Sequence, residues 1–236
     1  TAAIYCKTGE CEIRITARAS TPEEGEKMCR DYATKFYDLL GDAVYDEDVA
    51  GLEETLVHTL KQQGLSLSTA ESCTGGMIAQ RITSVSGASE VFGYGFVTYW
   101  AEAKTRLVGV QPEVIERYNV VSAPVAAQMA LGAAQASGSD IAVSVTGLAG
   151  PGGGDAVRPV GTVYLGAARG GTVYVQKLFV SRPDRALVRA RAAQAALTLA
   201  LRLAQGKVPA HTKPLAAAQQ QDEAALAALN EAFLAE

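Results

Sequence analysis

From about residue 49 to residue 205, predicted helices alternate with short apolar segments typical of β-strands, and this alternation restricts the possible folds more than any other feature. Such alternation is typical of α/β domains, in which helices cover a largely parallel sheet. Two of the predicted strands, residues 161–168 and 172–180, are joined by Gly170-Gly171, which is a two-residue hairpin signal. A hairpin makes an antiparallel pair, so we predict an α/β layered domain with a mixed sheet and with helices on both faces.

Hydrophobic periodicity also predicts the remaining elements of this domain, which we place at residues 48–206. The predicted helices cover residues 50–63, 75–84, 102–107, 124–136 and 183–204. The other predicted strands cover residues 65–70, 95–99 and 140–146.

The segments on either side of this domain have different patterns. Residues 1–47 are predicted to form a small α+β segment, because residues 11–19 alternate apolar and polar side chains and a capping box at Thr21 opens a helix. This segment is too short to bury a large core by itself. Residues 207–236 are predicted to be a linker and a C-terminal helix that docks on its own domain or on a second subunit. A helix that binds another partner is the alternative.

Composition and charge argue against several classes of function. With 21 Lys and Arg against 25 Asp and Glu, the net charge of −4 argues against a broad basic surface for nucleic acids. No apolar run approaches the roughly 20 residues of a membrane-spanning helix, so we expect a soluble, cytoplasmic protein. The two histidines are His58, on a predicted amphipathic helix, and His211, between two prolines. A Ser-His-Asp triad and a histidine-rich metal site are therefore both disfavoured.

Two of the four cysteines flank a predicted turn. Cys6 and Cys11 lie on either side of residues 7–10, so we expect them to face each other across a hairpin. Their spacing is not the CxxC spacing that indicates a zinc site.

Three segments concentrate the residues that carry chemistry. In the first, residues 68–76, a predicted strand runs into a predicted helix through small and polar residues. A hydroxyl there, such as that of Ser72, lies beside unpaired helix N–H groups, which favour an anion or a developing oxyanion. The alternative is that Ser72 or Thr74 only caps the helix.

The second segment, residues 95–104, places Tyr99 at the end of a predicted strand and Lys104 in the first turns of the next helix. A lysine replaces histidine as a base only where burial or nearby positive charge lowers its pKa. The alternative is a solvated lysine and a half-buried tyrosine.

The third segment is rich in glycine, with six glycines from Gly147 to Gly161, directly after an apolar predicted strand. Such a loop lets backbone N–H groups approach a ligand, commonly a phosphate, and it lies where open α/β sheets bind ligands. It matches neither a Walker nor a GxGxxG pattern, and a flexible loop is the alternative. Several arginines lie near the start of the last long helix, Arg185 and Arg189 among them, and we expect some to be solvated and one or two to clamp an anion.

The three segments together resemble the CinA C-terminal family, which contains the nicotinamide-nucleotide amidases. The resemblance rests on residues 70–76 (AESCTGG), 96–99 (FVTY) with Lys104, 146–151 (TGLAGP), 159–163 (PVGTV) and Asp184-Arg185, in the family's order across about residues 50–205. Residues 1–45 resemble the end of the KH-like connecting domain of full-length CinA proteins. The molybdopterin-binding-like domain that precedes it there is not in this sequence, so we expect a C-terminal fragment.

The resemblance implies hydrolysis of the amide of nicotinamide mononucleotide to nicotinate mononucleotide and ammonia, without a metal or a cofactor. It implies that Ser72 is the nucleophile and that Lys104 and Tyr99 relay its proton to the departing ammonia. The N–H groups of residues 73–76 would form the oxyanion hole, and residues 146–154 with one arginine would hold the ribose phosphate. The residues implied to bind the pyridine nucleotide are Thr74, Gly75, Gly76, Thr146, Gly147, Ala149, Gly150, Arg185 and Arg189.

The sequence departs from the family's usual pattern at a few positions. Trp100-Ala101 stands where the family usually has Ser-Asn, which removes two polar groups beside the implied base. Gln128 and Arg158 stand where Glu and Lys are common. A second hypothesis therefore stays open, a catalytically reduced module that binds a nucleotide or a protein in competence or DNA-damage responses. We expect a homodimer without membrane contact, with a DNA-repair or recombination protein as a candidate partner.

Overall fold

The computed structural model describes residues 1–182 and 184–234. Contacts divide the chain into two compact units, Thr1–Ala50 and Gly51–Glu236. The segment from residue 207 onward, which the sequence set apart from the α/β domain, belongs to the second unit. The predicted helix start at residue 183 and the last two residues of the predicted C-terminal segment lie outside the described residues.

The first unit is a hairpin followed by a helix. Strands β1 (Ala2–Lys7) and β2 (Glu10–Ile15) pair antiparallel around a two-residue turn. Helix α1 (Pro22–Leu40) begins after Thr21, whose side chain accepts a hydrogen bond from the Glu24 N–H, as the capping box predicts. None of the helix residues is buried.

The second unit alternates helices and strands, as predicted, and adds two elements, α5 and β8, that the sequence did not reveal. Its helices are α2 (Leu52–Gln63), α3 (Met77–Thr83), α4 (Ala101–Val108), α5 (Pro112–Tyr118), α6 (Ala123–Ser137), α7 (Arg185–Ala204) and α8 (Glu223–Leu234). Its strands are β3 (Leu67–Glu71), β4 (Phe92–Val97), β5 (Ile141–Gly147), β6 (Thr162–Arg169), β7 (Thr172–Phe179) and β8 (Lys213–Ala216). No helix in the described part of the chain has the length and apolar character needed to cross a membrane.

Six strands of the second unit form one mixed sheet in the order β4-β3-β5-β6-β7-β8. Strand β3 pairs parallel with both β4 and β5, whereas β5, β6, β7 and β8 pair antiparallel in succession. Helix α6, with α4, α5 and α8, covers one face of the sheet, and α7, with α2 and α3, covers the other. The predicted α/β fold with a mixed sheet is therefore confirmed.

Glycines let α6, which is buried along most of its length, lie close to the sheet and to α4. A Cβ atom at Gly166 on β6 would lie 2.6 Å from the Ala126 carbonyl oxygen. A Cβ atom at Gly132 would collide with the Val108 carbonyl oxygen, at the end of α4. The first approach brings α6 against β6, and the second brings the end of α4, which carries Lys104, against α6.

The last elements of the chain complete the sheet and its covering helices. Strand β8 pairs with β7, with Pro214 opposite Tyr174. Proline is tolerated there because one side of an edge strand makes no ladder hydrogen bonds. Helix α8 packs on α6 and buries Leu226, Leu229 and Phe233. The segment that its prolines marked as a linker therefore contains an edge strand.

Candidate active site

The sharp turn after β3 carries Ser72. Its N–H donates to the Val145 carbonyl at 3.0 Å, which ties the turn to β5, and its own carbonyl accepts from the Gly75 N–H at 3.1 Å. Gly75 and Gly76 have φ angles of +59° and +94°, a region in which other residues are strained. The two glycines therefore shape the turn, and α3 begins at Met77, two residues later than predicted.

The N-terminus of α3 is occupied by a buried carboxylate. Glu71, the last residue of β3, is fully buried. Its carboxylate accepts hydrogen bonds from the N–H groups of Gly76 and Ile78, each at 3.0 Å, and of Ala79 at 2.9 Å. These bonds satisfy helix N–H groups that would otherwise be open to a ligand.

This arrangement corrects two expectations. The alternative in which Ser72 or Thr74 only caps the helix is wrong, because the first N–H groups of α3 bond to Glu71. The N–H groups of Gly75 and Gly76 are already bonded within the turn, to Ser72 O and to Glu71 Oε2. Of the four N–H groups expected in an oxyanion hole, these two are therefore not open.

The side chain of Lys104, on α4, contacts the hydroxyl of Ser72. Lys104 Nζ lies 3.0 Å from Ser72 Oγ and 2.7 Å from the Thr98 carbonyl oxygen. Lys104 is 1% exposed and Ser72 9% exposed, so solvent hardly reaches this contact. The alternative of a solvated lysine is therefore wrong, and the fold builds a buried serine–lysine pair.

Burial sets the ionisation of two groups at this site. Desolvation lowers the pKa of Lys104 from 10.5 to about 8, and a smaller electrostatic interaction with Cys73 opposes this shift. Of the two causes expected for such a shift, burial and nearby positive charge, burial is the one that lowers the pKa of Lys104. Burial also raises the pKa of Cys73 to about 11, so its thiol stays protonated near neutral pH and is a poor nucleophile.

Arg189, on α7, holds the backbone of the turn that follows β3. Its Nε donates to the Cys73 carbonyl at 3.0 Å and its Nη2 donates to the Thr74 carbonyl at 2.8 Å. Because C=O and N–H of a trans peptide point in opposite directions, the first bond turns the Thr74 N–H away from Arg189. Within the described residues, the N–H groups of Cys73 and Thr74 find no backbone acceptor, and Thr74 Oγ1 is buried without a partner. Of the four N–H groups expected in the oxyanion hole, these two are not used by the backbone contacts of the turn, and their role stays a prediction.

Arg185 links Tyr99 to the glycine-rich loop. Its Nη2 donates to the Tyr99 hydroxyl at 3.2 Å, and its Nη1 donates to the Gly150 carbonyl at 2.8 Å. Tyr99 is 55% exposed, and its hydroxyl pairs with Arg185 rather than with Lys104 or Ser72. The structure therefore brings Tyr99, Arg185 and the loop together, and the proton relay through Tyr99 stays a prediction.

The first residues of the glycine-rich loop make packing contacts. Thr146 Oγ1 donates to the Val120 carbonyl at 2.7 Å. A Cβ atom at Gly147 would lie 2.8 Å from the Val163 side chain, so the approach of β5 to β6 requires glycine there. Ala149 is buried. These contacts explain the residue types in structural terms, and the binding roles of the loop residues stay predictions.

Sequence reasoning missed two residues that build the site. A signal for Glu71 was available, because a carboxylate at the end of a buried strand needs hydrogen-bond donors, and the turn that follows supplies them. Thr98 acts through its backbone: its N–H donates to the Glu71 carbonyl at 2.7 Å, and its own carbonyl accepts from Lys104. No side-chain pattern marks a backbone contact of this kind.

Two features of the described residues concern metal ions and larger ligands. They contain no group of His, Cys, Asp and Glu side chains that could hold a metal ion. A cavity of about 130 Å³ lies elsewhere in the second unit, lined in part by Tyr118, Arg158 and Tyr164. Pockets for larger ligands usually measure about 300–1,000 Å³, so this cavity is too small for a nucleotide.

Comparison with known proteins decides the family. The sequence profile of the CinA C-terminal domain matches residues 49–204. The chain belongs to the CinA C-terminal domain family. A CinA-like protein from Kosmotoga olearia is 44% identical over 197 residues, which cover 84% of this chain and 48% of that protein. A CinA-like protein from Desulfovibrio desulfuricans is 45% identical over 178 residues, covering 75% of this chain and 42% of that protein.

Solved CinA-superfamily structures share the fold of this CinA C-terminal domain. The competence/damage inducible protein CihA from Agrobacterium tumefaciens matches with a TM-score of 0.64 at 40% identity, over 68% of this chain and 98% of that chain. A competence or damage-inducible protein from Enterobacter asburiae matches with a TM-score of 0.62 at 33% identity, over 65% of this chain and 96% of that chain. The chain spans less than half the length of its CinA-like relatives, 48% and 42% for the two named here.

Proposed function

We propose that this CinA C-terminal domain hydrolyses the carboxamide of nicotinamide mononucleotide, giving nicotinate mononucleotide and ammonia. The observation that carries the proposal is the buried contact of 3.0 Å between Lys104 Nζ and Ser72 Oγ. It joins a hydroxyl nucleophile to an amine whose pKa burial lowers to about 8. The choice of substrate rests on the family resemblance of residues 70–76, 146–151 and 159–163.

In the proposed first step, neutral Lys104 acts as the general base. A protonated amine donates to Ser72 Oγ, and a deprotonated amine accepts the serine proton across the same contact. Ser72 Oγ then bonds to the carboxamide carbon, and negative charge develops on the carbonyl oxygen. The N–H groups of Cys73 and Thr74 are the proposed donors to that oxyanion.

In the second step, collapse of the intermediate breaks the C–N bond and leaves an acyl ester on Ser72. The Lys104 ammonium gives its proton to the departing nitrogen, directly or through the Tyr99 hydroxyl, so that ammonia leaves. Water then attacks the ester while Lys104 takes its proton, and this proton returns to Ser72 as nicotinate mononucleotide leaves. The protein ends the cycle in the protonation state in which it began.

We assign the ribose phosphate to Arg185 and the glycine-rich loop. Arg185 is exposed and its guanidinium already contacts Gly150 in that loop, so an anion bound beside the loop meets its charge. Arg189 donates hydrogen bonds from Nε and Nη2 to backbone carbonyls of the turn after β3. We therefore assign Arg189 to the support of the turn, and Arg185 to the substrate.

The exposure of Trp100 favours a second candidate function. Its side chain is 74% exposed at the N-cap position of α4, where it makes no capping hydrogen bond. Tryptophan is enriched among residues that anchor protein partners. In this alternative the domain binds a nucleotide or a partner protein without turnover, and the expected homodimer and repair-protein partner belong to the same proposal.

Ammonia release from nicotinamide mononucleotide tests the proposed reaction. We expect Ser72→Ala to lower turnover by more than about 1,000-fold. The variant should stay folded, because the lost hydroxyl makes one side-chain hydrogen bond, with Lys104. Cys73→Ala is the matched control, since it removes the adjacent buried side chain, and we expect it to stay active.

The two variants separate the candidate mechanisms. Near-normal turnover in a folded Ser72→Ala protein would remove Ser72 as the nucleophile. Loss of turnover in Cys73→Ala, together with inactivation of the wild type by thiol reagents, would indicate a cysteine mechanism instead. A wild-type protein that binds the nucleotide but releases no ammonia would favour the binding function.

A further inference from the structure

The hairpin of the first unit places two exposed thiols opposite each other. Cys6 on β1 is the Cα partner of Cys11 on β2, and both cysteines are free. At the open end of the hairpin, Thr1 and Thr16 exchange both backbone hydrogen bonds, at 2.7 and 2.8 Å. Hydrogen-bonded and non-hydrogen-bonded pairs alternate along an antiparallel ladder. Cys6 and Cys11, five pairs further along, therefore form a non-hydrogen-bonded pair.

A pair in this position suits a disulfide. The Cα atoms of a non-hydrogen-bonded pair lie about 4.5 Å apart, within the range of about 4.4–6.8 Å that disulfides span. Directly paired side chains also project from the same face of the hairpin. The proximity of Cys6 raises the pKa of the Cys11 thiol, chiefly through a hydrogen bond between the two side chains. The two sulfur atoms are therefore neighbours already in the reduced hairpin.

We propose that Cys6 and Cys11 are a redox-active cysteine pair, which a low-molecular-weight disulfide such as oxidised glutathione converts to a cross-strand disulfide. One cysteine thiolate attacks the small disulfide, forms a mixed disulfide and releases one thiolate of the reagent. The second cysteine thiolate attacks the protein sulfur of the mixed disulfide, closes the Cys6–Cys11 bond and releases the other thiolate. The two cysteines lose two electrons and two protons, and the reagent gains them as two thiols.

The other cysteines provide internal comparisons. Cys29, on α1, is partly buried, with its sulfur 4.0 Å from the Ile15 carbonyl oxygen. Cys73 is buried in the second unit, and burial raises its pKa to about 11. Thiol exchange requires an accessible thiolate, so both should react more slowly than the hairpin pair.

The experiment equilibrates the full chain in glutathione buffers of increasing oxidised fraction, quenches it with acid and alkylation, and reads each cysteine by peptide mass. We expect a disulfide between Cys6 and Cys11, which lowers the mass by two hydrogens. Alkylation should be lost at both cysteines at the same oxidised fraction. Cys6→Ser and Cys11→Ser should each prevent closure and leave the remaining thiol free or bound to glutathione. Cys29→Ser is the matched control and should leave the closure midpoint unchanged.

Several outcomes would overturn the proposal. One is separate glutathione adducts on Cys6 and Cys11 in the wild-type chain, and another is a bond from either cysteine to Cys29. A third is that the Cys6–Cys11 disulfide closes at the same oxidised fraction of glutathione at which the single-cysteine variants take up glutathione. The proximity of the two thiols would then give no advantage. Circular dichroism of the serine variants, which change exposed or partly buried thiols, checks that each has kept its fold.

Discussion

Lys104 carries an amine that is removed from water and that, within the described residues, forms no ion pair with a carboxylate. Charge on such an amine is costly, so burial favours the neutral form. Within the described part of the chain, its Nζ bonds to neutral oxygens, those of Ser72 and Thr98. The resulting pKa of about 8 gives the site a neutral amine in an appreciable fraction of molecules just above neutral pH.

We expect the rate of ammonia release to rise with pH through one ionisation near 8 and to level off above it, because only neutral Lys104 accepts the serine proton. Lys104→Arg keeps its charge throughout this range, so it should lose about 100-fold or more in rate and show no rising limb. Measurement of kcat/KM between about pH 6 and pH 10 gives both profiles. An arginine variant with the wild-type profile would show that Lys104 only holds substrate charge.

Among single residues, the resemblance to the CinA C-terminal family implied Ser72 as the nucleophile and Lys104 as its base, and the shortage of histidines agreed with a lysine base. The sequence did not reveal which acceptors the arginines meet. Arg189 was one of the two arginines expected at the phosphate, and its guanidinium bonds to the Cys73 and Thr74 carbonyls. The acceptor that a long side chain reaches depends on how a helix packs on the sheet, which no local pattern encodes.

Helix α3 depends on a carboxylate that lies outside it. The helix has seven residues, too few to be stable alone, and its first N–H groups bond to Glu71. Glu71→Gln places an amide NH₂ group against one of these donors, so we expect the free energy of unfolding to fall by about 1–3 kcal/mol. Ammonia release should fall as well, because the same carboxylate holds the turn that carries Ser72. Denaturant unfolding of the second unit measures the first effect.

The matched control for this change is Glu102→Gln on α4. Glu102 pairs with Arg106 at 3.2 Å and both side chains are well exposed, so the loss of the ion pair should cost less than about 0.5 kcal/mol. Equal destabilisation by the two substitutions would contradict a specific role of Glu71 at the N-terminus of α3.

Elements with a strong local pattern were predictable, whereas elements that depend on distant contacts were not. The hairpin of β6 and β7 follows from Gly170-Gly171, and α6 follows from Ser122, whose side chain caps it. Strand β8 has four residues and includes Pro214, so its extended form depends on pairing with β7. Helix α5 is similarly short, with seven residues, and gives too few turns for a periodic pattern.

Over the whole molecule, the sequence predicted a mixed sheet but not the order of its strands. Strand β4 lies at the edge of the sheet, and β5 pairs with the other side of β3. This order brings together the ends of three strands that are far apart in the chain, and with them Ser72, Thr98 and the glycine-rich loop. Parallel strands are joined by long crossovers. The order of strands along the chain therefore does not reveal which strands pair in the sheet.

Two buried titratable side chains make the stability of the second unit depend on pH. The pKa of Lys104 is 10.5 in an exposed chain and about 8 when folded, so between these values the unfolded chain binds more protons and the free energy of unfolding rises with pH. Below about pH 8, Lys104 is protonated in both states, and the free energy of unfolding carries the full penalty of burying its charge. Cys73 acts in the opposite direction between 9.0 and about 11, because burial raises its pKa. The effect of Lys104 is therefore best separated below pH 9.

We expect the wild-type protein to gain about 1 kcal/mol in free energy of unfolding, relative to Lys104→Met, between about pH 7 and pH 9. Methionine fills a similar space without a charge, and both proteins keep Cys73, so the difference between their urea unfolding curves isolates the lysine. The comparison does not depend on the absolute stability of the variant, which also loses the bonds to Ser72 and Thr98. Two free energies that change in parallel with pH would contradict the prediction, because they would mean that the Lys104 ammonium is as well solvated in the folded unit as in the unfolded chain.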